Sequence, residues 1–208
     1  MAMAPTRGNI RLVAGIIKAG RPAIFPAGTV FGMGGLAGSE RLADEIRSLK
    51  GRKKEQGFLV NLPSLAAIRK IARVGALEAE LMRGFMPGGL TLVLELKPGV
   101  RLAAARDGTV GVRIPDSRTL LSILRIVGEP VISTSCNRTG QPPAMSVSDA
   151  EKIFPGIPAI GDTSRPSGTP STIARVEGSD IRILRPGIIP AGALLKWIRK
   201  KFPAARII

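Results

Sequence analysis

Pro130-Val-Ile-Ser133-Thr134-Ser135-Cys136-Asn137-Arg138-Thr139-Gly140-Gln141-Pro142-Pro143 reads as a strand running out into a binding loop. The lead-in is apolar, and the exit offers hydroxyls, an amide and a glycine. A rigid strand holding such a loop presents hydrogen-bonding groups to a polar ligand at fixed positions. Working outward, Thr109 to Ile114 reads as a strand, and Asp116 starts a helix reaching about Val127. Leu90 to Leu96 is a strand ended by Pro98-Gly99. Phe58 to Leu62 is another, and Ser64 to Met82 is helical with a break near Gly75. Ser39 caps a helix lined by Leu42, Ile46 and Leu49. Pro22 to Pro26 is a short strand, followed by a glycine-rich loop from Ala27 to Gly38. Ile10 to Ala19 forms a helix with Ile10, Val13 and Ile17 on one face.

Downstream, Ser148 with Glu151 predicts a capping box for a short helix. Gly161 to Pro170 is a long structureless stretch, either a lid or a surface loop. Ser171 to Val176 and Ile181 to Leu184 read as a hairpin around Gly178-Ser179-Asp180. Pro190 opens a last helix ending in Lys200-Lys201. Helices and strands alternate, which predicts an α/β fold around a central sheet.

Composition narrows the chemistry. The 208 residues fit one domain, and 44% hydrophobic content allows a sizeable core, aliphatic because aromatics reach only 3%. The chain has no histidine, no tyrosine and one cysteine, so imidazole bases, Cys-His pairs and histidine-ligated metals are excluded. Cys136 fits a reducing, cytoplasmic setting. No apolar run reaches the roughly 18 residues of a membrane span. A net charge of +16 implies an anionic partner or a solvated basic surface. Stacking of nucleic-acid bases has few platforms here, but phosphate contact by Lys and Arg remains open.

Several segments carry chemical possibilities. Pro26-Ala-Gly-Thr29-Val-Phe-Gly32-Met-Gly34-Gly35 is either a tight turn or a place where backbone approaches a ligand. Lys50-Gly51-Arg52-Lys53-Lys54 either complements a helix end or clamps phosphate. Arg113, amid apolar alternation, either snorkels at a strand end or aims into a cleft at a carboxylate. Phe85-Met-Pro87-Gly88-Gly89-Leu-Thr91, Thr169-Pro-Ser171-Thr172-Ile and Leu184-Arg185-Pro186-Gly187 are turn chemistry when taken singly.

Taken in order, these segments resemble the YrdC-like family of threonylcarbamoyl-AMP synthases, in its short single-domain form. The resemblance runs from about Ile10 to Gly187. It implies a YrdC-like domain over 10–187: a twisted mixed sheet flanked by helices, with a large basic concave cleft. Residues 188–208 would then form a C-terminal helix packed on that domain or contacting a partner.

The implied activity joins L-threonine, bicarbonate and ATP into threonylcarbamoyl-AMP and pyrophosphate, for tRNA adenosine threonylcarbamoylation. Lys50 and Arg52 would hold phosphate, and Ser135 and Asn137 would orient nucleotide or carbamate. Gln56, Thr109 and Arg185 complete the implied nucleotide set. Thr29, Asn61, Arg113, Ser133 and Ser171 form the implied threonine set. No protein metal site is expected, Mg²⁺ arriving on the ATP phosphates. A downstream threonylcarbamoyl transferase is the implied partner, and no membrane is. An alternative of the same fold is a non-catalytic module binding tRNA or double-stranded RNA. The chain departs from the family pattern at Ala27 and Gly28, which replace a Thr-Glu pair. Further departures fall at Lys53, Gln56, Asn61 and Pro143.

Overall fold

A computed structural model describes residues 2–53, 57–162 and 166–208. In chain order these residues form β1 (Ala2–Met3), α1 (Arg7–Lys18), β2 (Ala23–Pro26), β3 (Phe31–Leu36), α2 (Glu40–Lys50) and β4 (Leu59–Asn61). Then come α3 (Leu65–Ile71), α4 (Ala76–Phe85), β5 (Leu90–Glu95), β6 (Thr109–Arg113), α5 (Arg118–Val127) and β7 (Val131–Ser135). The chain continues through α6 (Val147–Ile153), β8 (Ala159–Ile160), β9 (Thr172–Glu177), β10 (Asp180–Arg185), α7 (Ala191–Ile198) and β11 (Arg206–Ile207).

All the strands join one mixed sheet in the order β1-β8-β2-β3-β7-β4-β6-β5-β9-β10-β11. The α/β expectation holds. β7 lies between β3 and β4, antiparallel to both, while β4 runs parallel to β6. The strand bearing the hydroxyls is therefore interior, flanked by the segment around Gly32–Gly35 and by Leu59–Asn61.

The glycine-rich loop expected over Ala27 to Gly38 is corrected: its second half is β3. Glycine is a poor strand former, so sequence favours a loop. The close packing demands glycine instead. A Cβ at Gly34 would stand 1.8 Å from the Ile132 carbonyl oxygen, and one at Gly35 would stand 2.3 Å from Leu42 Cδ2. Backbone approach of this kind is a recognised use of glycine inside a strand.

Helix ends follow local chemistry. Ser39 accepts from the Leu42 amide, and Gly51 closes α2 at a left-handed φ of 64°. Ser117, rather than Asp116, caps α5 by accepting from the Leu120 amide. Ser146, rather than Ser148, caps α6 by accepting from Asp149. Ser148 lies inside that helix, so the capping-box reading is wrong by two residues.

Two apolar layers hold the sheet. One packs α1 and α5 on it through Val13, Ile17, Phe25, Leu120, Ile123 and Leu124. The other centres on Met33, Leu42, Ile46, Val60, Leu81 and Leu92. Each such buried side chain contributes about 1.5–3 kcal/mol. α7 docks on α4: Trp197 Nε1 donates to the Glu80 carbonyl at 3.1 Å, and Lys201 pairs with the Glu80 carboxylate at 2.7 Å. The C-terminal segment thus packs on the same body. No helix among the described residues is long and apolar enough to cross a membrane.

Candidate functional site

A concave cleft of about 330 Å³ opens on the sheet beyond the ends of α2 and β7. Arg52, Arg106 and Arg185 supply its charge, Thr109, Ser133 and Ser135 its hydroxyls, and Phe58, Val93 and Leu184 apolar wall. A smaller cavity of about 70 Å³ adjoins it, lined by Ala27, Thr29, Gly32, Arg113, Ser171 and others. The two share Leu59, Ser133, Thr134, Ser135 and Arg185. None of the described lining residues of either is acidic. Desolvated cations without acidic neighbours form a trap for anions.

Helix α2 delivers the basic pair. Gly51 ends the helix in the left-handed region between them, and the two side chains reach different groups near the end of β7. Arg52 reaches the cleft, donating to Thr134 Oγ1 at 2.7 Å and to the Gly57 carbonyl at 2.6 Å, with its guanidinium 5.4 Å from the Phe58 ring centre. Burial, then the neighbouring Arg47 and Arg185 charges, pull its pKa below the ordinary value. Like charges held this close favour an anion placed between them.

Lys50 is buried under the β7 exit. Its ammonium donates to the Ser135 carbonyl, to the Asn137 carbonyl at 2.5 Å and to Asn137 Oδ1 at 2.8 Å. Three donors thus meet three acceptors, and Lys50 lines neither cavity. Burial, with the Arg52 charge second, lowers its pKa to about 8. Ser135 Oγ donates to Asn137 Oδ1 at 2.6 Å, so Lys50, Ser135 and Asn137 form one unit that fixes the turn after β7. Cys136 is buried in that turn, where desolvation pushes its thiol up to about 12.

The smaller cavity is built around Arg113, 2% exposed. Its Nε donates to the Gly88 carbonyl at 2.7 Å and its Nη1 to Thr29 Oγ1 at 2.9 Å. Nη2 is buried without a hydrogen bond and lies 3.6 Å from Asp116 Oδ1. Burial lowers the guanidinium pKa to about 10 against the opposing pull of Asp116. Of the two alternatives for Arg113, the fold takes the inward one: a charged fork with an unused N–H suits a carboxylate.

Ser171 Oγ meets Thr91 Oγ1 at 2.9 Å, and Arg185 Nη2 donates to the Ser171 carbonyl at 2.7 Å. Arg185 therefore bridges the two cavities from β10. Asn61 is fully buried, donating to Ser133 Oγ at 2.7 Å, and lines neither cavity. Its side chain contacts the cavity wall at Ser133. The amides of Ser167 and Gly168 donate to the Gly28 and Thr29 carbonyls, tying the segment before Pro170 to the cavity rim.

The structure thus gathers Thr29, Arg52, Thr109, Arg113, Ser133, Ser135, Ser171 and Arg185 on the two cavities, with Lys50, Asn61 and Asn137 one step behind. Gln56 lies outside the described residues. Thr134 and Arg106 were missed by sequence reasoning. Alternation sets Thr134 opposite its neighbours, yet at the strand end its hydroxyl meets Arg52. Among the described residues no group of three or more Cys, Asp or Glu gathers as a metal would require.

Comparison with known proteins agrees with this geometry. The model of the Sua5_yciO_yrdC family, described as "Telomere recombination", matches residues 15–187. A threonylcarbamoyl-AMP synthase of Pyrococcus abyssi is 31% identical over 194 residues, covering 91% of this chain and 57% of that protein. A putative threonylcarbamoyl-AMP synthase of Mycobacterium tuberculosis is 33% identical over 188 residues, covering 88% and 85%. The crystal structure of P. abyssi Sua5 complexed with L-threonine superposes with a TM-score of 0.85 at 30% identity, covering all of this chain and 62% of that one. The chain therefore spans little more than half of the Pyrococcus protein but most of the mycobacterial one. Since the family match reaches from α1 to the residue pair after Arg185, and so takes in the described wall of both cavities, this chain belongs to the Sua5/YciO/YrdC family.

Proposed function

We propose that the chain is a threonylcarbamoyl-AMP synthase, a nucleotidyltransferase that makes threonylcarbamoyl-AMP and pyrophosphate from L-threonine, bicarbonate and ATP. The observation that carries the reading is the pair of adjoining cavities. One is cationic, acid-free among its described residues and roomy. The other is small, with a buried Arg113 holding an unused N–H. A nucleotide suits the first and an amino-acid carboxylate the second, and the shared Ser133–Ser135 row and Arg185 lie where the two reactants meet.

The amine of threonine and bicarbonate give a carbamate and water. A carbamate oxygen then attacks the α-phosphate, and the bond to the β-phosphate breaks to release pyrophosphate. No side-chain nucleophile is required, so a chain without histidine can run the reaction by holding the groups in line and neutralising charge. Arg52 and Arg185 take the phosphate charge, with Mg²⁺ riding on the triphosphate. Thr109 faces the nucleotide. Lys50 and Asn137 fix the turn that presents Ser135. Thr29, Arg113, Ser133 and Ser171 receive threonine, with Asn61 holding Ser133 in place. Gln56 belongs to the proposed nucleotide set by resemblance alone.

The product is a mixed anhydride and must be consumed by a transferase acting on tRNA. A buried lone cysteine suits a reducing cytoplasm. The RNA-binding alternative is not favoured, because a polyanion lying on a surface has no use for a guanidinium as buried as Arg113.

The test is pyrophosphate release. It should require threonine, bicarbonate and ATP together, and Arg52→Ala should lower it by about 10- to 100-fold. Release without threonine, or unchanged release in Arg52→Ala, would defeat this reading.

A further inference from the structure

Gly28 sits between β2 and β3 at a φ of 81°, and the place of its side chain is taken. A Cβ there would stand 1.7 Å from Asp116 Oδ1 and 2.7 Å from Asp116 Cγ. A carboxylate delivered from the start of α5 thus fills the side-chain space of residue 28, at the rim formed by Ala27 and Thr29. Asp116 does not line the small cavity but reaches it through Arg113, its Oδ1 lying 3.6 Å from Arg113 Nη2. Its side chain is 53% exposed, and its oxygens accept no hydrogen bond from the described residues.

An amino acid approaching Arg113 brings a positive charge one carbon from its carboxylate. The described lining of the small cavity holds hydroxyls, apolar side chains and cations but no carboxylate, so it offers an ammonium no opposite charge. From this juxtaposition we infer that Asp116 and Arg113 act as a zwitterion-recognising pair. Arg113 takes the α-carboxylate and Asp116 the α-ammonium, so the cavity selects α-amino acids over carboxylates that lack an amine. Gly28 is part of the device: any side chain there would displace the Asp116 carboxylate. Such selection is strong because a ligand that occupies Arg113 and brings no positive charge of its own sets its carboxylate beside that of Asp116 uncompensated. This inference rests on the synthase reading and adds a specificity-determining residue to it.

The experiment compares L-threonine with 2,3-dihydroxybutyrate, its analogue with hydroxyl in place of amine. Calorimetric titration of the full chain gives both affinities, with pyrophosphate release measured in parallel. The unaltered protein should prefer threonine by about 10- to 100-fold. Asp116→Asn should lose most of that ratio by weakening threonine while leaving the analogue within about threefold, and Asp116→Glu should recover part of it. Gly28→Ala should shift the ratio the same way by displacing the carboxylate, with Asp116 itself intact.

A ratio unchanged in Asp116→Asn, with threonine turned over normally, would overturn the inference and leave the synthase reading standing. Equal weakening of both ligands would reduce Asp116 to a structural counterion and also overturn it. Failure of the unaltered chain to bind threonine would overturn both.

Discussion

Replacing Arg113 with methionine tests the division of the cleft into two halves. The substitution keeps the stem and removes the charge. On the cost side, the Gly88 carbonyl and Thr29 Oγ1 lose their buried donors, at 2.7 and 2.9 Å. Each orphaned group costs about 1–3 kcal/mol, so roughly 2–6 kcal/mol together. On the other side, burial has already lowered the Arg113 pKa from 12.5 to about 10, a penalty on the charged form of about 3 kcal/mol that the neutral side chain escapes. The two nearly offset, so the fold should survive with a loss of no more than about 3 kcal/mol. Ligand binding has no such compensation. The Nη2 contact to a carboxylate is charge-assisted, about 1.5–3 kcal/mol, so threonine should bind about 10- to 150-fold more weakly. Arg113 does not line the larger cavity, and ATP affinity should stay within about threefold. Calorimetric titrations with each ligand, alongside a thermal melt, read all three quantities. Threonine affinity within threefold of the parent, or an equal fall for ATP, would refute the partition.

The turn after β7 should respond to pH. Burial holds Lys50 at about 8, below its ordinary 10.5, so the unfolded chain binds more protons between those values. The burial cost is fully present below pH 8, and this group's contribution to stability rises with pH through that window. Turnover should run the opposite way, falling above about pH 8, because the neutral amine has too few protons for its acceptors at Ser135 and Asn137. A rate profile that stays level through mildly alkaline pH would argue against this role, as would an unchanged alkaline limb in Lys50→Met. Separately, Gly34→Ala should destabilise the fold by roughly 3 kcal/mol or more, since its Cβ would stand 1.8 Å from the Ile132 oxygen. Gly38→Ala, with nothing within 4 Å of its Cβ, is the control, and similar denaturation midpoints for the two would contradict the close approach of β3 and β7.

Much of this was legible in the sequence because local chemistry and global fold agree there. Val131–Ser135 is β-branched and hydroxylic and becomes an interior strand. Ser39 and the Gly178-Ser179 turn sit where their chemistry says they should, while Pro190 stands one residue ahead of α7 as its N-cap and that helix stops at Ile198, short of Lys200. The sequence presents Lys50 and Arg52 as one basic pair, yet only Arg52 lines the cleft, while Lys50 is engaged by the Ser135 and Asn137 carbonyls. Which of the two cations reaches the cleft appears only in three dimensions. β3 was hidden for a similar reason: its glycines answer to a neighbouring strand far away in sequence, not to any local preference. Sequence alone makes Asp116 a helix start. Its place beside Gly28 follows from the route of the chain between β6 and α5, which periodicity does not encode.

The insertion of β7 between β3 and β4 also has a bearing on biosynthesis. Both neighbours leave the ribosome well before residue 131, and at translation speeds of about 5–20 residues per second the gap from residue 36 lasts roughly 5 to 20 s. During that interval β3 has an unsatisfied edge of the kind that invites association between nascent chains. Phe31-Gly-Met-Gly-Gly-Leu36 is a weak template for such association, because glycine contributes neither β preference nor an interlocking side chain. The residues that admit β7 into the finished sheet also keep its future berth unattractive to strangers while the chain is still being made.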